Sequence, residues 1–363
     1  MGMRVIISGG GTGGHIFPAI AIAKTIQAQQ PDATILFVGA LGKMEMEKVP
    51  AAGFEIVGLP IVGIQRRLTW KNLLVPFKLL ASMIKARRIV KEFKPDVAIG
   101  VGGYASGPLL RAAAALGVKT LIQEQNSYPG ITNRILSKKV NTICVAYDGL
   151  ERYFPKEKIV MTGNPVRPEV VRLNGKREQA LKHFGLDPNR KTLLVIGGSL
   201  GARSINQAVD AHAQRWEQEQ LQVIWQTGKG YVEASQKRCA GLNHVKAYEF
   251  IREMDMAYAA ADLVVSRAGA MSISELCLVA KPSVFIPSPN VSEDHQTKNA
   301  MALVNNGAAL LVKDAEATER LGDTVGHLMT HEAELKRYAT AIGAMAQKDA
   351  AERIVEEVKK LIQ

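Results

Sequence analysis

Cysteine is scarce in this sequence. Cys144, Cys239 and Cys277 are the three present, widely separated and odd in number. None has CxxC or Cys/His spacing, so neither a disulfide framework nor a zinc site is indicated, and a reducing compartment fits. Aromatic residues make up only 6% of the 363. No apolar run reaches the roughly 18 residues that a bilayer-spanning helix needs. The nearest, Leu73 to Ile84, is interrupted by Lys78. The N-terminus enters an apolar strand without the basic and apolar regions of an export signal, so a non-exported chain without a transmembrane anchor is expected.

Hydrophobic residues reach 47%, enough for cores in two units of ordinary size. Short β-branched runs alternate with longer helical patterns. The runs fall near residues 3–8, 33–38, 55–59, 96–101, 119–123 and 142–145, then near 192–196, 221–226, 245–248, 263–266, 283–287 and 308–312. Such alternation predicts an α/β fold with two parallel sheets, each in a Rossmann-like domain. Thr162-Gly-Asn-Pro165 is a turn-rich break, which puts the boundary at 163/164 and the hinge beside it. The expected units are residues 1–163 and 164–340. A C-terminal helix over 341–363 follows. Its stripe of Ile354, Val355, Val358, Leu361 and Ile362 needs a surface to cover, and packing back on the first domain would supply one.

Both series open alike, with a strand running into a glycine loop: Val5 to His15, and Leu194 to Arg203. Gly9, Gly11 and Gly14 satisfy GxGxxG, which raises a dinucleotide cofactor. The acid that should end the second strand is missing, since that strand closes Phe37-Val-Gly-Ala-Leu41 and Asp32 lies before it. A nicotinamide is therefore not expected. No Gly-Lys-Ser/Thr follows either loop, which removes a P-loop. The loops still offer bare backbone and helix N-termini to a phosphate or sugar edge, with Ser199 and Arg203 adding polar groups in the second. Tight strand-to-helix packing is the plainer alternative for each. A third loop, Gly100 to Gly107, follows the Asp96 to Ile99 run. Ligands of open α/β sheets bind beyond the carboxyl ends of the strands, so the three loops are expected to converge on an interdomain cleft.

The charge is uneven. Residues 1–163 hold 21 Lys/Arg against 10 Asp/Glu, and residues 164–363 hold 25 against 24. Lys71, Lys78 and Lys85 recur at every seventh position, with Leu73, Leu74, Phe77, Leu80 and Ile84 on the neighbouring helical face. An amphipathic basic helix of this kind suits an anionic membrane surface. A helix that covers the sheet and solvates a basic back is the alternative. Nucleic acid is not expected, because no aromatic-interleaved basic groove accompanies the charge.

Gly9-Gly-Gly-Thr-Gly-Gly-His15, Gly102-Gly-Tyr-Ala-Ser-Gly-Pro108 and Gly197-Gly-Ser-Leu-Gly-Ala202 together resemble the MurG family. Gln123-Glu-Gln-Asn126, Pro129-Gly-Ile-Thr-Asn133, Ser266-Arg-Ala-Gly-Ala270 with Glu275, and Asp294-His-Gln-Thr-Lys-Asn299 extend the resemblance over nearly the whole chain. It implies a GT-B fold and a peripheral glycosyltransferase on the cytoplasmic face of the bacterial cell membrane. The implied reaction moves GlcNAc from UDP-GlcNAc to the C4 hydroxyl of MurNAc-pentapeptide-diphospho-undecaprenol, lipid I. The product, lipid II, feeds the peptidoglycan synthesis on which cell shape and division depend, with other cell-wall synthesis proteins as further partners. The resemblance puts Ser199 at the donor diphosphate, Glu275 on the ribose hydroxyls, backbone at Ile251 on the uracil edge, and Arg167 near the diphosphate. Gln296, Ala270 and Met271 would hold the GlcNAc. Thr12, Gly13, Gly14 and Asn126 would reach the sugar from the first domain, with Asn133 beside them. Glu275 as a first-turn helix acid, Gln296 and Asn126 as loop-capping amides, and Arg167 as a solvated cation are the plainer alternatives.

An α-linked donor and a β-linked product imply one in-line displacement. That needs stabilisation of the departing diphosphate and removal of a proton from the acceptor. There is no Asp-x-Asp motif, so no metal and no cofactor is expected. His15 is the first candidate for the base, because it closes the first loop and can titrate near neutral pH. It could instead bind the acceptor's diphosphate or fix the loop. Glu124 is the reserve candidate. A GT-B enzyme with a diacylglycerol acceptor, a UDP-GlcNAc 2-epimerase and a non-catalytic membrane adaptor are the competing readings.

Overall fold

The computed structural model describes residues 2–63, 75–198 and 200–363, with the side chain of Ser292 set aside. In chain order its strands and helices are β1 (Arg4–Ser8), α1 (Gly13–Gln29), β2 (Thr34–Ala40), α2 (Glu45–Ala51), β3 (Glu55–Leu59), α3 (Val75–Phe93), β4 (Val97–Gly100), α4 (Ser106–Ala115), β5 (Lys119–Glu124), α5 (Ile131–Leu136), β6 (Thr142–Val145) and β7 (Ile159–Met161). There follow α6 (Pro168–Val171), α7 (Arg177–Phe184), β8 (Thr192–Ile196), α8 (Arg203–Gln218), β9 (Gln222–Gln226), α9 (Val232–Cys239), β10 (Val245–Tyr248), α10 (Met254–Ala260), β11 (Leu263–Ser266), α11 (Ala270–Leu278), β12 (Ser283–Phe285), α12 (His295–Val304), β13 (Leu310–Leu311), α13 (Ala317–Thr330), α14 (Glu332–Ala344) and α15 (Ala350–Ile362).

Two compact units result: Met1–Arg167 with Gln347–Gln363, and Pro168–Ala346. Each carries one wholly parallel sheet. The first has strand order β3-β2-β1-β4-β5-β6-β7, and the second β10-β9-β8-β11-β12-β13. Helices cover both faces of each sheet, so the central strands are apolar throughout. Every residue of β8, Thr192-Leu-Leu-Val-Ile196, is buried, and so are the last four of β1. The order reverses between β1 and β4 in the first sheet and between β8 and β11 in the second. Val5 pairs with both Ile35 and Val97, and Leu194 with both Ile224 and Val264. Ligands of such sheets bind at the carboxyl end of the reversal. The first and third glycine loops follow β1 and β4. The second glycine loop and the Arg267 to Ala270 turn follow β8 and β11.

The structure corrects the hinge expected at Thr162 to Pro165. Thr162 and Asn164 are buried, and the side chain of Asn164 accepts from Gln123 Nε2 at 3.0 Å and donates to the Gln125 carbonyl at 3.1 Å. The segment thus belongs to the first unit. The division falls after Arg167, and β7 adds a seventh strand that its short Ile-Val-Met pattern did not announce. At the other end the second unit runs to Ala346. The helix α15 then returns to the first unit, where Ile354, Val355 and Val358 are fully buried in one cluster with Val5, Ile7 and Ile22. Burial of this kind contributes roughly 2 kcal/mol per side chain.

Candidate active site

In the first unit, the first and third glycine loops interlock. A side chain on Gly103 would meet the Gly10 carbonyl at 2.3 Å, and one on Gly102 would meet the His15 ring at 2.7 Å. Ser106 Oγ ties the two loops by donating to the Ser8 and Gly102 carbonyls, both at 2.9 Å. From behind, the buried Glu45 accepts from the Gly11 amide at 2.9 Å and the Ala40 amide at 3.0 Å. The packing alternative therefore accounts for Gly9, Gly10, Gly102 and Gly103, and the Gly11 amide already has a carboxylate partner. Ligand-facing capacity is left at the start of α1, with the Thr12 hydroxyl and the Gly13 and Gly14 amides. The next two amides, of His15 and Ile16, both bond to the Thr12 carbonyl.

His15 is partly exposed. Its Nδ1 lies 3.1 Å from the Gly10 carbonyl and 3.3 Å from Thr12 Oγ1. A carbonyl can only accept, so this contact selects the tautomer with the proton on Nδ1 and the lone pair on Nε2. A general base is held in this way. Arg167 is not simply solvated: its guanidinium stacks over the Phe17 ring in α1, 5.1 Å from the centroid.

The Gln123 to Asn126 motif is mostly a brace. Gln123, Glu124 and Gln125 are buried to 2% exposure or less. Glu124 accepts from the Asn126 amide at 3.0 Å, Asn126 Nδ2 at 3.1 Å, the Gly130 amide at 3.1 Å and Asn133 Nδ2 at 2.8 Å. Four donors fill the acceptor capacity of one carboxylate. The structure places Glu124, the reserve base, as the acceptor that organises the Asn126 to Gly130 loop. Asn133, 2% exposed and also bonded to the Gln123 carbonyl at 3.2 Å, joins that brace.

In the second unit the strand-end loops are cross-linked. Gly201 and Gly228 meet backbone to backbone, both at positive φ: a side chain on the first would lie 1.9 Å from the Thr227 carbonyl, and one on the second 2.3 Å from that of Leu200. Asn206 Nδ2 donates to the Thr227 carbonyl at 2.8 Å. Gln226 reaches the Gly198 carbonyl and the Ile251 amide. Arg267 binds the carbonyls of Ile286 at 2.9 Å and Pro287 at 3.1 Å, Asp314, and Ser204 Oγ at 2.9 Å, joining the loops after β8, β11 and β12. Ser199 lies outside the described residues, as do Lys71, Leu73 and Leu74.

Glu275 is the sixth residue of α11, past its first turn, so a helix-dipole role does not explain it. Tyr258 Oη donates to its Oε2 at 2.9 Å and orients the carboxylate. Ala270 and Met271 open the same helix, where backbone amides lack intrahelical acceptors. Gln296 Oε1 accepts from the Ser288 amide at 2.8 Å, which fixes the amide and leaves Nε2 as its donor end. The turn before it holds Glu293 and Asp294 at φ of 55° and 52°. Two successive non-glycine residues there are costly, and such strain gathers where position matters. Glu45, Gln226 and Arg267 were not anticipated. Apart from the Ala40 amide, five residues from Glu45, their partners lie 19 to 63 residues away, and no local pattern signals that.

Along α3, Phe77 is 72%, Leu80 60% and Ile84 65% exposed, whereas Ser82, Ala86, Ile89 and Val90 face the core. The apolar stripe thus points away from the sheet. Of the described part of the patch, Lys85 is exposed and Lys78 partly so. No helix among the described residues is long and apolar enough to cross a membrane.

Two Rossmann-like units with glycine loops at the reversal points of their sheets are the architecture of the GT-B fold. Profiles of the glycosyltransferase family 28 N-terminal and C-terminal domains match residues 5–145 and 192–354. The chain belongs to this family, and within it to the MurG enzymes. It is 53% identical over 361 residues to the UDP-N-acetylglucosamine--N-acetylmuramyl-(pentapeptide) pyrophosphoryl-undecaprenol N-acetylglucosamine transferase of Christiangramia forsetii, covering 99% of this chain and 98% of that one. A crystal structure of Acinetobacter baumannii MurG matches with a TM-score of 0.80 at 28% identity over 99% of both chains. A UDP-GlcNAc 2-epimerase from Neisseria meningitidis, at 14% identity and a TM-score of 0.69 over 99% of this chain and 100% of that one, shares the fold alone.

Proposed function

We propose that this chain performs the transfer for which its relatives are named, from UDP-GlcNAc to the N-acetylmuramyl-(pentapeptide) pyrophosphoryl-undecaprenol acceptor. The observation that carries the reading is the cross-linked floor of strand-end loops in the second unit, backed by amides and Arg267. On it the Ser199 loop takes the donor diphosphate, and Glu275, held by Tyr258, accepts from the ribose hydroxyls. The Ile251 carbonyl takes the uracil N–H. Gln296 donates to the GlcNAc, and backbone at Ala270 and Met271 lines the sugar. The first unit takes the acceptor; its Thr12, Gly13, Gly14 and Asn126 are assigned to the transferred GlcNAc, and Arg167, steadied by Phe17, to the donor diphosphate.

His15 Nε2 takes the proton of the acceptor C4 hydroxyl. That oxygen attacks the anomeric carbon as the bond to the UDP oxygen breaks, and UDP leaves with the electron pair. Inversion follows from the single displacement, and backbone amides and helix N-termini stabilise the departing charge without a metal. The outward stripe of α3, flanked by Lys78 and Lys85, seats the enzyme on the anionic cytoplasmic face of the membrane where a lipid-linked acceptor resides.

Purified protein mixed with UDP-GlcNAc and a short-chain lipid I analogue should release UDP and form the disaccharide only when the acceptor is present. Acceptor-independent turnover of the donor sugar would point to an epimerase instead.

A further inference from the structure

One buried side chain joins the parts of the second unit that would hold the two ends of a nucleotide. Gln226, the last residue of β9, is 4% exposed. Its Nε2 donates to the Gly198 carbonyl at 3.1 Å, inside the glycine loop after β8. Its Oε1 accepts from the Ile251 amide at 2.9 Å. Both partners dictate the same orientation, because a carbonyl only accepts and an amide N–H only donates. The neighbouring backbone is equally fixed, with Thr227 N and Gly228 N donating to the carbonyls of Tyr248 and Glu249 at 2.9 and 3.0 Å. Gly198, at φ +87°, is therefore held from beneath by the group that also holds Ile251.

We propose that Gln226 is a positioning residue that couples the phosphate loop to the backbone that reads the base, so that order imposed on one end of a nucleoside diphosphate is passed to the other. The inference rests on the assignment of the donor to this face. With its amide engaged by Gln226, Ile251 presents its carbonyl to the base, which suits a ring N–H. A phosphate that draws the Gly198 loop around itself acts on Ile251 through one rigid amide. Neither ligand end touches Gln226, so its effect lies in how much the phosphates add to the binding of the base.

The test compares uridine, UMP and UDP binding by calorimetric titration to wild type, Gln226→Met and Gln226→Glu. The methionine nearly conserves volume but breaks both hydrogen bonds. Its affinity for UDP should fall about tenfold and that for uridine less than about twofold. The donor KM should rise in step, with kcat at saturating donor and the acceptor KM unchanged. The glutamate keeps the bond from Ile251 but sets a carboxylate against the Gly198 carbonyl, so it should lose the phosphate gain too. Hydrogen exchange reads the contact itself: the Ile251 amide should be protected in wild type and Gln226→Glu and open in Gln226→Met. If the methionine variant melts early, the glutamate variant and the wild-type exchange decide. Equal weakening of all three ligands, or none, overturns the coupling while leaving the donor assignment intact. A wild-type protein that binds no UDP overturns the donor assignment itself.

Discussion

The two units set similar glycine loops on similar sheets, yet brace them with different chemistry. Behind the loops of the first unit stand two buried carboxylates, Glu45, held by two backbone amides, and Glu124, filled by four backbone and side-chain amide donors. Behind those of the second stand neutral amides, Gln226 and Asn206, and the cation Arg267. A carboxylate beside a loop favours the cation that proton uptake creates. Neutral amides and an arginine ion-paired to Asp314 carry no such net negative charge. The contrast suits the proposed division, with UDP held by the second unit and proton removal in the first. It also extends to buried charge elsewhere: the second unit's Lys281 lies just before β12, at the opposite end of its sheet from the loops.

The sharpest break of this contrast is His15→Ala. It should lower kcat by about 10²- to 10⁴-fold in the UDP-release assay while leaving the acceptor bound. A loss confined to acceptor KM would make His15 a binding group. Next comes Glu124→Gln, whose new NH₂ group would face the donors of Gly130 and Asn133. Misplacement of Asn126 should cost about tenfold in kcat/KM, with a lower melting temperature from strained buried hydrogen bonds. A base would instead lose several hundredfold with unchanged stability.

Smaller again is the surface contrast. Phe77→Ser with Ile84→Ser should weaken binding to anionic vesicles by roughly tenfold and leave turnover of a soluble acceptor analogue intact. Unaltered vesicle binding would place the membrane face elsewhere.

The smallest effect on activity should come from Lys281→Met. Burial pushes the Lys281 ammonium down from 10.5 to about 8, with Asp262 offsetting part of that shift. Between those values the unfolded chain binds the extra proton, so stability rises with pH through the window, and below it the full cost of the buried charge is present. The variant should be about 1–2 kcal/mol more stable at pH 7, with a flatter pH dependence between 8 and 10 and unchanged kcat, read by chemical denaturation.

Much of the fold was legible because parallel strands buried on both faces leave continuous apolar runs, as in Val5 to Ser8 and Thr192 to Ile196. Helix α15 announced itself by its stripe. The boundary did not, because Thr162-Gly-Asn-Pro165 has the composition of an exposed turn, and only tertiary contacts bury it. The glycine loops and His15 were visible as compact strings. Glu124 looked like a base by its neighbours in sequence, whereas its role is set by donors that the loop folds around it. Glu45, Gln226 and Arg267 act on distant segments, and a single sequence carries no sign of which carbonyl or amide each will meet.

The most direct test of the division between the units is a calorimetric titration of UDP-GlcNAc into Glu275→Ala and His15→Ala side by side. Donor affinity should fall at least about tenfold in the first and stay within about twofold of wild type in the second. Unchanged affinity in Glu275→Ala together with a large loss in His15→Ala would contradict the assignment of the donor to the second unit.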